Sequence, residues 1–309
     1  MTNPRLTQDR RTFLRTSGAA LLGALAARGA SGEETTPLRF GAIADIQYCD
    51  CDTAGSRHYR NSLEKAREAA AQFQQENLGF VVHLGDFIDR DFASFDAALS
   101  ACRGLPTPVH HVLGNHDFSV DAARKKEVPN KLSMPKRYYA FTHGDWRFLV
   151  LDGNDVSMHG RLEGSPQQAD AQRILGELKA REAPNAQTWN GALGEKQLAW
   201  LDATLADAGR QDQRAIVFCH FPVYPTNAHN LWNDTQVIRI LENHPCVAAY
   251  MNGHNHAGNY SEKAGIHYLT LQGMVETPDT PAFAAITLHA DHIEVNGFGR
   301  EPDRVLAIA

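Results

Sequence analysis

Five times between Leu38 and His256 a short apolar run stops at a polar turn. Leu38–Ala44 runs into Asp45-Ile46-Gln47, Phe80–Leu84 into Gly85-Asp86, and Val109–Leu113 into Gly114-Asn115-His116-Asp117. Further on, Arg214–Cys219 runs into His220, and Val247–Met251 into Gly253-His254-Asn255-His256. Apolar runs of this length, bounded by turn residues, read as buried strands. Helical patterns lie between them at His58–Gln75, Phe92–Cys102, Gly194–Ala208 and Thr235–Asn243. Strands that alternate with helices require a largely parallel sheet under helical cover, an α/β fold.

The rest of the chain fits around that plan. Tyr138–Thr142 and Trp146–Leu151 read as a hairpin about His143-Gly144-Asp145. The end is rich in strands, at Ile266–Leu271, Ala282–Leu288 and His292–Val295. Gly153–Gly191 is polar and reads as an excursion, a candidate lid rather than a separate domain. With no internal repeat and no Pro/Gly/Ser linker, residues 31–309 are expected to form a single two-sheet domain. A hydrophobic fraction of 43% over 309 residues is enough for a core that needs no covalent staples. Cys49, Cys51, Cys102, Cys219 and Cys246 are too few and too scattered for a disulfide scaffold. Cys49 and Cys51 are expected to lie too close in sequence for an easy mutual bridge.

The N-terminus reads as an address. Asp9-Arg10-Arg11-Thr12-Phe13-Leu14-Arg15 is followed by the apolar run Gly18–Ala27 and by small residues, with Ala24-Leu25-Ala26 the best cleavage match. Adjacent arginines before Phe-Leu resemble a twin-arginine export signal, which is read by a receptor. The apolar run is about half of what a spanning helix needs. Residues 1–30 are therefore expected to be a signal peptide, and the protein to reach the periplasm or the exterior folded, with no stable membrane insertion. Five arginines against Asp9 give that segment a net charge of +4, so −10 of the chain's −6 total falls on residues 31–309. A body that acidic argues against nucleic acid as a partner.

The five polar turns all follow strands, and ligands of open α/β sheets bind at the carboxyl ends of strands. The turns hold carboxylates, carboxamides and imidazoles but no thiolate, a donor set that suits Mn²⁺, Fe or Zn²⁺. Two such ions can clamp a phosphoryl group and stabilise both the attacking and the leaving oxygen. His254 and His256 would face opposite ways on a regular strand, but in a turn they can converge.

Taken together, Asp45-x-Gln47, Gly85-Asp86, Gly114-Asn115-His116-Asp117, His220 and Gly253-His254-Asn255-His256 resemble the motifs of the calcineurin-like metallophosphoesterases. The resemblance implies a four-layer α/β/β/α sandwich with a dinuclear metal centre. It implies that Asp45, Gln47, Asp86 and His256 hold one ion, while Asp86, Asn115, His220 and His254 hold the second. His116 would assist the leaving group, with Asp117 orienting its imidazole. Most members carry histidine where Gln47 stands, and a carboxamide oxygen makes a harder site that favours Mn²⁺. Purple acid phosphatases carry a tyrosine ligand where this chain has Asp89, which argues against that group.

The chain is also similar to the Mn²⁺-dependent ADP-ribose/CDP-alcohol diphosphatases. The similarity lies in Phe40–Tyr48, Tyr59–Leu63, His220–Pro225, Gly253–Tyr260 and Gly297–Arg304. It departs at His58 and at Gly258-Asn259-Tyr260, and in carrying an export signal. The expectation is an exported phosphohydrolase that cleaves a phosphoanhydride or phosphodiester bond in a nucleoside diphosphate-linked compound by metal-hydroxide attack. The rivals are another phosphodiesterase or phosphomonoesterase on the same scaffold, and a catalytically silent periplasmic binding protein. Arg57 and Arg60 are candidates to meet phosphate. Trp232, Tyr224 and Tyr260 are candidates to stack a base or else to pack the core.

Overall fold

Alternation along the first strand decides the layering. In β1 (Leu38–Ile43), Phe40 and Ala42 enter one apolar layer and Ile43 enters another. The computed structural model describes Met1 and residues 37–106, 108–161 and 164–308. The export signal and its cleavage site lie outside the described residues. The strands that follow are β2 (Phe80–His83), β3 (Val109–His111), β4 (Tyr139–His143), β5 (Trp146–Val150), β6 (Val156–Ser157) and β7 (Gly191–Ala192). Then come β8 (Arg214–Phe218), β9 (Val247–Asn252), β10 (Asn259–Lys263), β11 (Ile266–Thr270), β12 (Ala282–Leu288), β13 (His292–Gly299) and β14 (Arg304–Ala307). The helices are α1 (Ser62–Phe73), α2 (Ser94–Ala101), α3 (Val128–Lys131), α4 (Pro166–Ala180), α5 (Glu195–Arg210) and α6 (Asp234–Glu242).

Two six-stranded sheets result, in the orders β14-β13-β12-β1-β2-β3 and β10-β11-β9-β8-β5-β4. Within the first, β1, β2 and β3 are parallel; within the second, β5, β8, β9 and β11 are. The C-terminal strands run antiparallel onto β1. Phe40, Phe80, Phe148 and Phe218 fill the space between the sheets. Phe40 stacks on Phe80 at 4.8 Å and meets Phe148 edge-on at 5.9 Å. Outside the first sheet, α1 and α2 bury Ala66, Ala69, Phe73, Phe95 and Ala98. Outside the second, α5 and α6 bury Leu201, Leu205, Val237 and Leu241. Helices on the outer faces of two packed sheets make the four layers expected from the sequence. Among the described residues no helix is long and apolar enough to cross a membrane.

Two expectations are corrected, the start of α1 and the Cys49–Cys51 pairing, and the excursion gains detail. α1 starts at Ser62 rather than His58, because the preceding residues are tied elsewhere: the His58 amide donates to the Val275 carbonyl at 2.9 Å and Arg57 bridges to Glu276. The 153–191 excursion has structure of its own. Ser165 caps α4 by accepting from the Gln168 amide, Pro166 fills the first helical position, and Ala171, Leu175 and Leu178 form its buried stripe. Cys49 and Cys51 are bonded to each other, since a bend at Asp50 brings their Cα atoms to 5.2 Å, within disulfide reach.

α1 lies close to β1 because Gly41 has no side chain. A Cβ there would stand 2.7 Å from the ring of fully buried Phe73. Gly41→Ala is expected to cost about 1–3 kcal/mol of unfolding free energy in a denaturant titration. Adding Phe73→Leu should recover part of that loss, so the double mutant should be more stable than the sum of the two single changes predicts.

Candidate metal centre

Each of the five turns leaves its strand at the same end of the two sheets, and backbone hydrogen bonds join one turn to the next. The Asp45 amide donates to the Gly85 carbonyl at 3.1 Å, the Gln47 amide to the Asp86 carbonyl at 2.8 Å, and the Gly253 amide to the His220 carbonyl at 3.1 Å. Four of the side chains gathered there sit on left-handed backbone: Asp45 (φ 53°), Gln47 (43°), Asp86 (55°) and His254 (68°). L-residues enter this region at a cost, and such strain collects at functional sites.

The side chains converge tightly. Gln47 Nε2 donates to Asp86 Oδ2 at 2.9 Å, and His220 Nε2 lies 3.2 Å from the same oxygen. His256 Nε2 stands 3.3 Å from Asp45 Oδ1, and His220 Nε2 stands 4.0 Å from it. Asp86, His220 and His254 each present a ligand atom within 4.8 Å of the others. His254 and His256 converge because a turn, not a strand, carries them. Among the described residues Gln47 Oε1 and Asn115 Oδ1 are buried and find no hydrogen-bond partner. Orphaned acceptor atoms beside buried carboxylates are what divalent cations would satisfy, so the residues present fit a metal centre.

Electrostatics agree. Burial pulls the His220 imidazole down, yet Asp86 and Asp45 outweigh it and hold the group at about 9. For His256 burial is likewise overcome, by Asp45 and Glu276, again to about 9. His254 goes the other way: burial and the neighbouring His220 push it well below the ordinary histidine value. Protons on His220 and His256 thus occupy the place of positive charge that a cation would supply, and metal uptake should release them.

The residues behind the ligands differ in part from expectation. Asp117 does not orient His116. Its carboxylate accepts from the amides of Phe87 and Gly114, both at 2.8 Å, and of Ile88 at 3.3 Å, so it fixes the turns after β2 and β3. Burial and Asp86 push that carboxyl up to about 7 against those amides. His116 leans instead on Asp89, with Nδ1 2.8 Å from Oδ1. His220 Nδ1 meets the Leu84 carbonyl at 2.8 Å, His256 Nδ1 meets Glu276 Oε1 at 2.7 Å, and His254 Nε2 meets Asn190 Oδ1 at 2.9 Å. Glu276 is fixed from behind by Lys65, whose buried ammonium donates to the carbonyls of Glu276 and Thr277, both at 2.8 Å. Asp89, Glu276, Asn190 and Lys65 were not picked out by sequence reasoning. Of these, only Asp89 stood in a motif, as the residue in the tyrosine position.

The outer candidates divide. Arg57, bridged to Glu276, is near enough for its positive charge to pull the pKa values of His116 and His256 down, against the carboxylates that raise them. Arg60 turns to Asp50 and Asp52, at 2.5 and 2.7 Å, and those carboxylates occupy its guanidinium. Trp232 is core, with Nε1 donating to the Gln187 carbonyl at 3.0 Å. Tyr224 packs on Tyr268, and the Tyr260 hydroxyl meets His267 at 3.0 Å. The exposed aromatic near the centre is Trp189, 44% exposed and adjacent to Asn190.

The chain is similar to known proteins. The sequence pattern described as calcineurin-like phosphoesterase matches residues 38–258. A manganese-dependent ADP-ribose/CDP-alcohol diphosphatase of Xenopus tropicalis is 32% identical over 86% of this chain and 93% of its own length. One from Arabidopsis thaliana is 33% identical over 84% of this chain and 94% of its own. The crystal structure of a dimetal phosphatase from Danio rerio superposes with a TM-score of 0.80 at 29% identity, covering 88% of this chain and 99% of that one.

Asp86 has room beside it because residue 114 is glycine: a Cβ there would fall 2.1 Å from Asp86 Oδ1. Gly114→Ala should therefore weaken metal binding about 10–100-fold, as loss of ligand positioning does. The measure is metal per chain against free Mn²⁺, with circular dichroism unchanged.

Proposed function

The chain belongs to the calcineurin-like phosphoesterase family and is a metal-dependent hydrolase, and we propose that it cleaves the diphosphate bond of a nucleoside diphosphate-linked compound of the ADP-ribose or CDP-alcohol type. The observation that carries this reading is the thiolate-free cluster with two orphaned buried carboxamide oxygens. Asp45, Gln47, Asp86 and His256 would hold one ion, and Asp86, Asn115, His220 and His254 the other. Mn²⁺ is the expected metal, because a carboxamide takes the place of an imidazole at Gln47 and the similar diphosphatases are manganese-dependent. When bound, such ions supply a hydroxide nucleophile and neutralise charge on the phosphoryl oxygens.

The chain's own residues do the rest. Asp89 holds His116 through Nδ1, which leaves Nε2 to give a proton to the departing phosphate oxygen. The His116 side chain is 22% exposed and that of Asp89 only 6%, so the ring is gripped from behind and open in front. Arg57 would meet the phosphate that is not attacked, a role supported by its bridge to Glu276, and exposed Trp189 would stack the base.

The test is hydrolysis of ADP-ribose, CDP-choline, CDP-glycerol, a cyclic nucleotide, bis-p-nitrophenyl phosphate and p-nitrophenyl phosphate, with Mn²⁺, Mg²⁺ or Zn²⁺ restored after chelation. Mn²⁺-dependent release of AMP or CMP is expected. Preference for the cyclic nucleotide or a monoester would move the function to another phosphoesterase, and no turnover with any metal would mean a silent binding protein. In the same assay His116→Ala should lower kcat on the diphosphates about 10²–10⁴-fold with metal content intact. Asp89→Asn should lower it less, and both should spare p-nitrophenolate departure, which needs no proton.

Export by the twin-arginine route completes the proposal and rests on Arg10-Arg11-Thr12-Phe13-Leu14 before the apolar run. With both Arg10 and Arg11 replaced by Lys, the precursor should stay in the cytoplasm of a bacterial host. Periplasmic activity at the unmutated level would sink this part.

A further inference from the structure

On the helical face of the first sheet, behind the metal centre, two buried histidines have ring nitrogens with nothing to bond. His83 ends β2 and His111 ends β3; the two are register partners, and Ile43 of β1 pairs with His83 on its other side. All three line a cavity of about 270 Å³ walled by Leu99, Leu105, Leu132 and the ring of Phe87. Phe87 stands nearly perpendicular to both imidazoles, its centroid 4.8 Å from His83 and 5.3 Å from His111. His83 is 1% exposed, and among the described residues neither of its nitrogens has a partner; His111 is 7% exposed, and its Nδ1 likewise has none among them. Buried polar atoms without partners are costly and uncommon, and three of them belong to two residues that line one cavity, where a small turn of either ring would let a ligand supply the bonds.

We infer that this cavity is a second ligand site, separate from the metal centre, for a small neutral amphiphile: a compact apolar body bearing one hydroxyl, of the phenol type. The walls fix the body and the floor fixes the head. Each neutral imidazole offers one N–H donor and one bare nitrogen, and a hydroxyl donates once while accepting from others. One hydroxyl between His83 and His111 can therefore use both rings. Burial keeps them neutral, pushing His83 well below the ordinary value and His111 down to about 4. A carboxylate or ammonium head would find no opposite charge on the floor. Lys131, on the lining, already donates to Asp96 Oδ1 at 2.6 Å.

Calorimetric titration of the full, metal-loaded chain with p-cresol and with toluene tests the site, since the two share a body and differ in the hydroxyl. p-Cresol should bind once per chain and about 10-fold or more tighter than toluene, the scale of a satisfied buried polar group. His83→Leu should bring the two affinities together, and Leu105→Trp, which fills the cavity, should abolish both. Should a variant fail to fold, nuclear Overhauser contacts from bound p-cresol to His83 and Leu105 in the unmutated chain carry the test. No p-cresol binding, equal affinity for the two compounds, or an undiminished preference in His83→Leu would overturn the proposal.

Discussion

One buried carboxylate sets the order around it. Asp86 has no exposure and is met by the Gln47 carboxamide, the His220 imidazole and the His116 backbone amide, the last at 2.7 Å from Oδ1. An isolated ionised carboxylate cannot be taken out of water cheaply, so partners must come from every side. They come from the turns after three other strands, and those strands can deliver them only if both sheets present the same end to one crevice. Left-handed backbone at Asp45, Gln47, Asp86 and His254 costs about 1–3 kcal/mol at each residue. Three large apolar layers, between the sheets and outside each, hold the turns against that strain.

The strands and the cluster of polar turn residues were legible because each turn follows directly on the apolar run that positions it. Reading a turn after a strand is a local inference, and a sheet under helical cover follows from strands alternating with helices, whereas the four-layer order came with the family resemblance. The groups that aim the ligands were not legible, because they come from distant parts of the chain. Glu276 lies twenty residues beyond His256, Asn190 sixty-four before His254, and Asp89 twenty-seven before His116. Asp117 misled for the opposite reason: it adjoins His116 in sequence, yet the three amides closest to it in space belong to the backbone of the turns. The short bridge from Cys49 to Cys51 escaped because it depends on a bend at Asp50 that no pattern of residue types announces.

Orientation of the centre is relayed outward as far as the first helix. Lys65 is buried in α1, and its acidity is shifted by that burial down to about 8. It gives up the solvation of its ammonium to fix two carbonyls of the segment that carries Glu276. Glu276 in turn holds His256, and its own carboxyl is drawn down to about 2 chiefly by that hydrogen bond. A helix that appears to do no more than cover a sheet therefore fixes one face of the crevice.

The described residues of the 153–191 excursion make their hydrogen bonds to the rest of the chain near its two ends. Near its start Asn154 donates to the Leu113 carbonyl at 3.0 Å; near its end Asn190 meets His254 and donates to the Ala228 carbonyl at 2.7 Å. A segment clamped in this way behaves as an exchangeable cassette. Its interior can be lengthened, shortened or recomposed while both clamps, and the imidazole that one of them steadies, stay where they are. Divergence of substrate preference then has somewhere to happen without passing through a state in which the metal centre is lost.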